Sequence, residues 1–107
     1  MKMEPEQNIT PDRWVILEYD TDEGKLRKVL SAWKGGYLNG DSWRISSPIV
    51  STTEMKHYNE YTTESGSTYK CLHANEGLSQ VTRDLLERIR KAFPEVKVKM
   101  LYYGDPT

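Results

Sequence analysis

Thiolates and imidazoles carry much of the nucleophilic, acid–base and metal chemistry available near neutral pH, so cysteine and histidine are the first residues to test. The 107-residue chain has one cysteine, Cys71, and two histidines, His57 and His73. In an extended segment Cys71 and His73 share a face, which makes a thiol–imidazole pair the sharpest catalytic reading. As metal ligands the pair falls short, because a structural zinc site needs four donors. His57 and a carboxylate such as Glu60 would have to complete the set, and no CxxC or HxxxH spacing supports it. A second nucleophile set would draw on Ser65, Ser67, Asp41 and the histidines. ESGS reads as a turn, however, and no GxSxG elbow is present. Paired-carboxylate hydrolysis needs two acids about 5–10 Å apart in a cleft, whereas the acids here are scattered beside Lys and Arg. GGYLNG lacks the spacing and strand–helix context of a dinucleotide loop, and there is no Walker A sequence. No metal, cofactor or complete catalytic set is expected; a small hydrolase-like enzyme stands as a second alternative.

Aromatic residues give a stronger signal, for binding. Trp33, Tyr37 and Trp43 fall within eleven residues of WKGGYLNGDSWRISSPI, among the turn dipeptides Gly35-Gly36 and Asn39-Gly40. Trp, Tyr and Arg dominate binding hot spots, and function concentrates on loops held by a rigid scaffold. The expected binding surface is therefore Trp33, Tyr37, Leu38, Asp41, Trp43 and Arg44, with Tyr58 and Tyr61 nearby. The plainer reading has Trp33 and Trp43 capping the open end of the core, one on each strand. Single-stranded nucleic acid is the first alternative partner. Tyr58, Tyr61, Tyr69, Tyr102 and Tyr103 could stack bases, flanked by Lys70, Lys97 and Lys99. Arg83, Arg88, Arg90 and Lys91 are interleaved with Asp84 and Glu87, which makes a solvated, ion-paired face rather than a phosphate track.

These residues must be positioned by a small set of elements. WVILEYD after Arg13 reads as an interior strand, because both of its faces open with apolar residues. TDEG supplies a hairpin turn, and KLRKVLSAW follows as a strand. A helix over 25–33 is the rival, with Leu26, Val29, Leu30 and Trp33 in register, but no capping residue opens it. SWRISSPIV reads as a third strand, with Trp43 and Ile45 on one face and Pro48 at a strand end, bulge or edge. Residues 58–63 and 67–73 flank Gly66 as a second hairpin, placing Tyr69, Cys71 and His73 on one face. Leu78, Val81, Leu85, Ile89 and Ala92, with Leu86 and Phe93, predict a helix over 78–93 that Pro94 stops. VKVKMLYY then alternates as a last strand, Val96, Val98, Met100 and Tyr102 inward. If that strand ran parallel to 67–73, the helix would be a right-handed crossover.

The fold class is accordingly α+β: a single helix on a mostly antiparallel sheet of five or six strands, with five strands preceding the helix and one following it. A flexible leader over 1–12, one domain over 13–104 and a short tail over 105–107 are expected. Net charge is −1, with three Trp and seven Tyr against one Phe. That balance argues against disorder and gives no case for a polyanionic partner. The polar start MKMEPEQNITPD lacks an apolar secretory core, no segment approaches a membrane span, and one cysteine fits reducing surroundings. The expected protein is a small cytoplasmic binding or inhibitory module, of the kind found among bacterial and phage accessory proteins. It would act on a protein partner without enzymatic activity, as a monomer or homodimer.

Overall fold

Trp14-Val15-Ile16-Leu17 is apolar at every position, and a strand that is apolar on both parities must be covered on both faces. The computed structural model describes residues 8–34 and 42–102 and places this segment in β2 (Arg13–Thr21), an interior strand of a central sheet. β3 (Gly24–Trp33) pairs with it antiparallel through a two-residue turn, Thr21 facing Gly24, and Gly24 takes φ +124° there. β4 (Ser42–Ile45) pairs with β3, and β8 (Lys97–Leu101) with the other side of β2, giving the order β4-β3-β2-β8.

A second sheet is built from β5 (Ile49–Glu54), β6 (Tyr58–Thr63), β7 (Thr68–Leu72) and the short β1 (Asn8–Ile9), in the order β1-β7-β6-β5. Among the described strands only the β1–β7 pairing is parallel, and one isolated parallel bridge joins Trp14 to Glu76. The one described α-helix is α1 (Gln80–Ala92), capped by Ser79, whose hydroxyl and backbone exchange hydrogen bonds with Thr82. The class is thus α+β, one helix against mostly antiparallel sheets, with no described helix long and apolar enough to cross a membrane.

Three layers follow from the two parities of β2. Trp14 and Ile16, with Val29, pack against Tyr61, Tyr69 and Cys71 of the second sheet. Val15 and Leu17, with Leu30 and Val98, pack against Leu85 and Leu86 of the helix. Trp14 also fixes the chain that joins the layers. Its indole Nε1 donates to the Leu72 carbonyl at 2.7 Å, and its own carbonyl accepts from Gly77 N at 2.7 Å. Gly77 makes that approach with φ +145°, a backbone region that side-chain-bearing residues avoid.

Two expectations are corrected, one open question is resolved and one preferred reading holds. Among the described residues the strands number eight, in two sheets rather than one, because the chain leaves the central sheet at Ser46–Ser47–Pro48 and continues in the second sheet as β5. Ser46 closes the first sheet, its backbone N donating to the Val29 carbonyl and its hydroxyl accepting from Val29 N, while Pro48 offers its carbonyl to Glu64 N of the second. The last strand pairs antiparallel with β2, not parallel with β7, so the helix carries the chain between sheets rather than within one. Structure begins before residue 13: β1 is paired, Ile9 packs on the core and Pro11 is buried. Residues 25–33 are a strand, in agreement with the preferred reading.

Two substitutions separate the roles of neighbouring polar groups. Trp14→Phe keeps most of the ring but strands the Leu72 carbonyl, and is expected to lower unfolding free energy by about 1–3 kcal/mol. Ser31, opposite Trp14 in the ladder, is fully buried with its hydroxyl unpartnered. Ser31→Ala is therefore expected to be neutral or stabilising by up to about 1 kcal/mol. Urea titration of the two variants reads both effects, and a clear loss on Ser31→Ala would contradict the assignment.

Candidate functional site

The thiol and imidazoles do not assemble. Cys71 is fully buried between the sheets, and burial, reinforced by the Glu76 charge, pushes its thiol up to about 12. His73 opens a single 3₁₀ turn and holds Asn59 Oδ1 from Nε2 at 2.9 Å, while its backbone N donates to the carbonyl of exposed His57. Ser65 and Ser47 tie the turn after β6 to the segment where the chain changes sheet. Cys71, His73 and the two serines are accounted for by folding, and His57 stands exposed apart from them.

Most of the expected binding surface is also redistributed. Tyr61 is 7% exposed, with its ring 5.9 Å from that of Trp14 and its hydroxyl accepting from Asn59 Nδ2 at 2.9 Å. Burial pushes that phenol up to about 12. It belongs to the core because it shares parity with Asn59 and Thr63, the face that β6 turns toward the central sheet. Tyr69 is buried likewise, so neither ring offers a stacking platform. Tyr58 lies on the opposite face of β6, half-buried under the Lys70 ammonium at 4.5 Å. Trp33 pairs with Ser42 and Ala32 with Trp43, which sends the two indoles to opposite faces of the central sheet and rules out a shared cap. Trp43 is 43% exposed and Arg44 is exposed, its charge partly offsetting the rise that burial imposes on the Tyr69 phenol. Tyr37, Leu38 and Asp41 lie outside the described residues.

What the structure assembles instead is a cleft between the two sheets, about 980 Å³ in volume. Its central-sheet wall is Ile16 and Glu18 of β2, Lys25 and Arg27 of β3, and Lys99 and Leu101 of β8. Its other wall is β5 with Asn59 and Tyr61 of β6, and Met100 and Tyr102 stand at the end of β8. Glu18 is the next residue of Trp14's parity after Ile16, placed where the apolar core ends. Its side chain is 5% exposed and gathers three cations: Arg27 Nε donates to Oε2 at 3.0 Å, and the Lys25 and Lys99 ammoniums stand 3.9 and 3.8 Å from Oε1. The hydrogen bond from Arg27, with the nearby positive charges, holds the Glu18 carboxyl below the usual carboxylate range, against the opposing effect of burial.

The chemistry of this arrangement is recognition of negative charge. The three cationic side chains are 60–66% exposed while converging on one sunken carboxylate, so positive charge exceeds negative on that wall. An ammonium has three donors, and neither lysine exhausts them on Glu18. Lys97 and Lys25 extend the same surface beside Asp20. Glu18, Lys25 and Arg27 were not among the residues singled out from sequence, and Lys97 and Lys99 were named there only as flanks of a base-stacking face.

The titrations have opposite signs at the two ends of the pH scale. Glu18 has a depressed folded value, so its contribution is present above the unfolded carboxylate range, near 4.5, and lost as pH falls through the lower folded value. Cys71 and Tyr61 are raised from ordinary values of 9.0 and 10.0, so their contributions hold below those values and fade as pH rises toward 12. Urea midpoints are expected to fall in both acid and alkaline buffer, with Glu18→Gln flattening only the acid limb. Native Cys71 is expected to resist a thiol reagent until the chain unfolds. Compared with known proteins, the chain matches no protein-family model, no curated protein and no solved structure.

Proposed function

We propose that this protein is a non-enzymatic binding module that acts by protein–protein contact, with the inter-sheet cleft and its basic wall as the recognition surface. The observation that carries the reading is the Glu18 cluster: one buried carboxylate fixes three largely exposed cations on the wall of an open cleft. Fixed, exposed positive charge steers and orients an acidic partner more than it stabilises the monomer, because surface ion pairs contribute only about 0–1 kcal/mol each. A buried thiol and a His73 ring engaged by Asn59, with His57 exposed away from any catalytic set, leave the binding reading better supported than a hydrolase. Work as an accessory domain in reducing cytoplasm suits a chain whose one cysteine sits unpaired in its core.

The test is a comparative pull-down from the native host. Lys25→Gln combined with Lys99→Gln is expected to leave the melting temperature within about 5 °C, since each side chain is mostly solvated and Arg27 still pairs with Glu18. The same pair should abolish capture of a protein that wild type and a Tyr58→Ala control both retain. Capture indifferent to the wall charges would remove the cleft from the function.

A further inference from the structure

Two strand edges frame the cleft, and they are finished differently. β8 carries Lys97 and Lys99, both exposed, and the Arg90 guanidinium from α1 donates to the Val98 carbonyl at 3.2 and 2.8 Å. Lysines and a capped carbonyl are devices that discourage strand pairing. β5 has neither of these, only a register shift at Val50 and the single charge of Glu54. Its sequence IVSTTE contains no lysine, no arginine and no proline, its last five residues are exposed, and among the described residues no strand lies on its outer side.

The ladder shows which groups that edge offers. Met55 N donates to the Tyr58 carbonyl, and alternation from that bonded pair makes Thr53–Glu60 and Ser51–Thr62 the bonded pairs of β5 with β6. The backbone N–H and C=O of Thr52 and Glu54 therefore point outward. Their side chains share parity with Tyr61 and Asn59, on the cleft side. A strand added to β5 would bond to Thr52 and Glu54, and its residues opposite them would face the cleft.

We propose that the occupant is an extended acidic segment of a partner protein, which adds to β5 as a fifth strand and roofs the cleft with its carboxylates toward Lys25, Arg27 and Lys99. This rests on reading the cleft as a binding surface and specifies what binds there. Charge complementarity selects the chemistry, because the wall has three cations for one carboxylate and the exposed lysines keep donors for a second. It also sets a limit on the ligand. The position opposite Glu54 is not acidic, since like charges directly across a pair are unfavourable. Acid on the inward face is therefore concentrated opposite Thr52 and beyond, toward Ile49. Val50, the residue where the β5–β6 register shifts, is 61% exposed at that end and offers the segment an apolar contact.

The experiment is selection from a random short-peptide display library on the intact protein, followed by amide hydrogen exchange with the selected peptide. Enrichment of Asp or Glu at alternate positions is expected, with slowed exchange at Thr52 and Glu54 and affinity about tenfold weaker or worse in Lys25→Gln/Lys99→Gln. Thr52→Pro removes one outward N–H and is expected to abolish binding while leaving the cationic wall in place. If that variant does not fold, the exchange data on wild type decide the same point. Acidic peptides that bind without protecting Thr52 and Glu54 would overturn strand addition but leave the cleft as the binding surface. Selection without acidic alternation, no selection at all, or preference for an added oligonucleotide would overturn the acidic segment. A Thr52→Pro-sensitive dimer of the protein alone, seen by sedimentation, would make a second copy the occupant and overturn it too. Failure of the cleft reading itself is distinct, being read in the pull-down.

Discussion

Everything in this fold depends on β2 being covered twice. A strand that buries Trp14 and Ile16 on one face and Val15 and Leu17 on the other forces two separate layers onto the same sheet. Neither layer holds itself in place by size: the helix has 13 residues, and β6 and β7 have six and five. Apolar burial of about 1.5–3 kcal/mol per large side chain holds them, and it is drawn from both faces of one strand. Trp14 adds direction to that burial. By bonding to the Leu72 carbonyl and receiving Gly77 N, it anchors the chain where it leaves the second sheet for the helix. Trp14 therefore fixes the position of the second sheet through its ring, and through its backbone carbonyl the path that brings α1 to the opposite face.

The candidate site arises where that double cover runs out. β2 and β3 contain nine and ten residues and so extend about 30 Å, whereas thirteen helical residues span about 20 Å and five or six strand residues about 16–20 Å. The central hairpin overhangs its covers by about 10 Å. Beyond the overhang the sheet cannot remain apolar without exposing a greasy patch, and the sequence changes character at that point. Glu18 follows Ile16 on the same parity, opposite Arg27, and Asp20 follows opposite Lys25. Charge in this region is thus a geometric consequence of mismatched lengths. Its excess of cations over carboxylates on the cleft wall is not required by folding, and that excess is what points to a ligand.

How far the sequence disclosed this can be traced residue by residue. Local order was legible: the 3.6-residue stripe from Leu78 to Ile89 gave α1, the two-residue turn gave β2–β3, and alternation placed Tyr69 and Cys71 on one face of β7, the face that the fold turns inward. The interior position of β2 was legible too, from four consecutive apolar residues. Non-local order was not. Pro48 marks a strand end, but no local signal tells whether the chain afterwards rejoins the same sheet or starts another. IVSTTE has no apolar alternation, because an edge strand at an open cleft has no buried face to advertise. Tyr61 was misplaced because a tyrosine suits core rim and surface alike, and its face is decided only by which sheet lies over it. Half of the Glu18 cluster could have been found, since the turn sets residue 18 opposite 27. The arrival of Lys99 depends on β8 crossing to β2, a pairing that spans most of the chain.

The two edges at the cleft bear on whether the charge is meant for a partner or for solubility. If the lysines of β8 served only to keep the protein from pairing with itself, β5, equally exposed and equally at an edge, would need the same protection. It carries a single charge, Glu54, in six residues. Lysines and a capped carbonyl on one lip, against one register shift and one charge on the other, make an uneven defence for pure negative selection against aggregation, which acts on every open edge. It is the expected pattern when one edge must stay available and its neighbour must not compete for the same strand. The cationic wall then has a second effect: by lining the cleft behind β5, it makes an acidic strand a better match there than a neutral, aggregation-prone one. Specificity of this kind combines an attraction with a penalty for the wrong partner, and both come from the same three side chains held by Glu18.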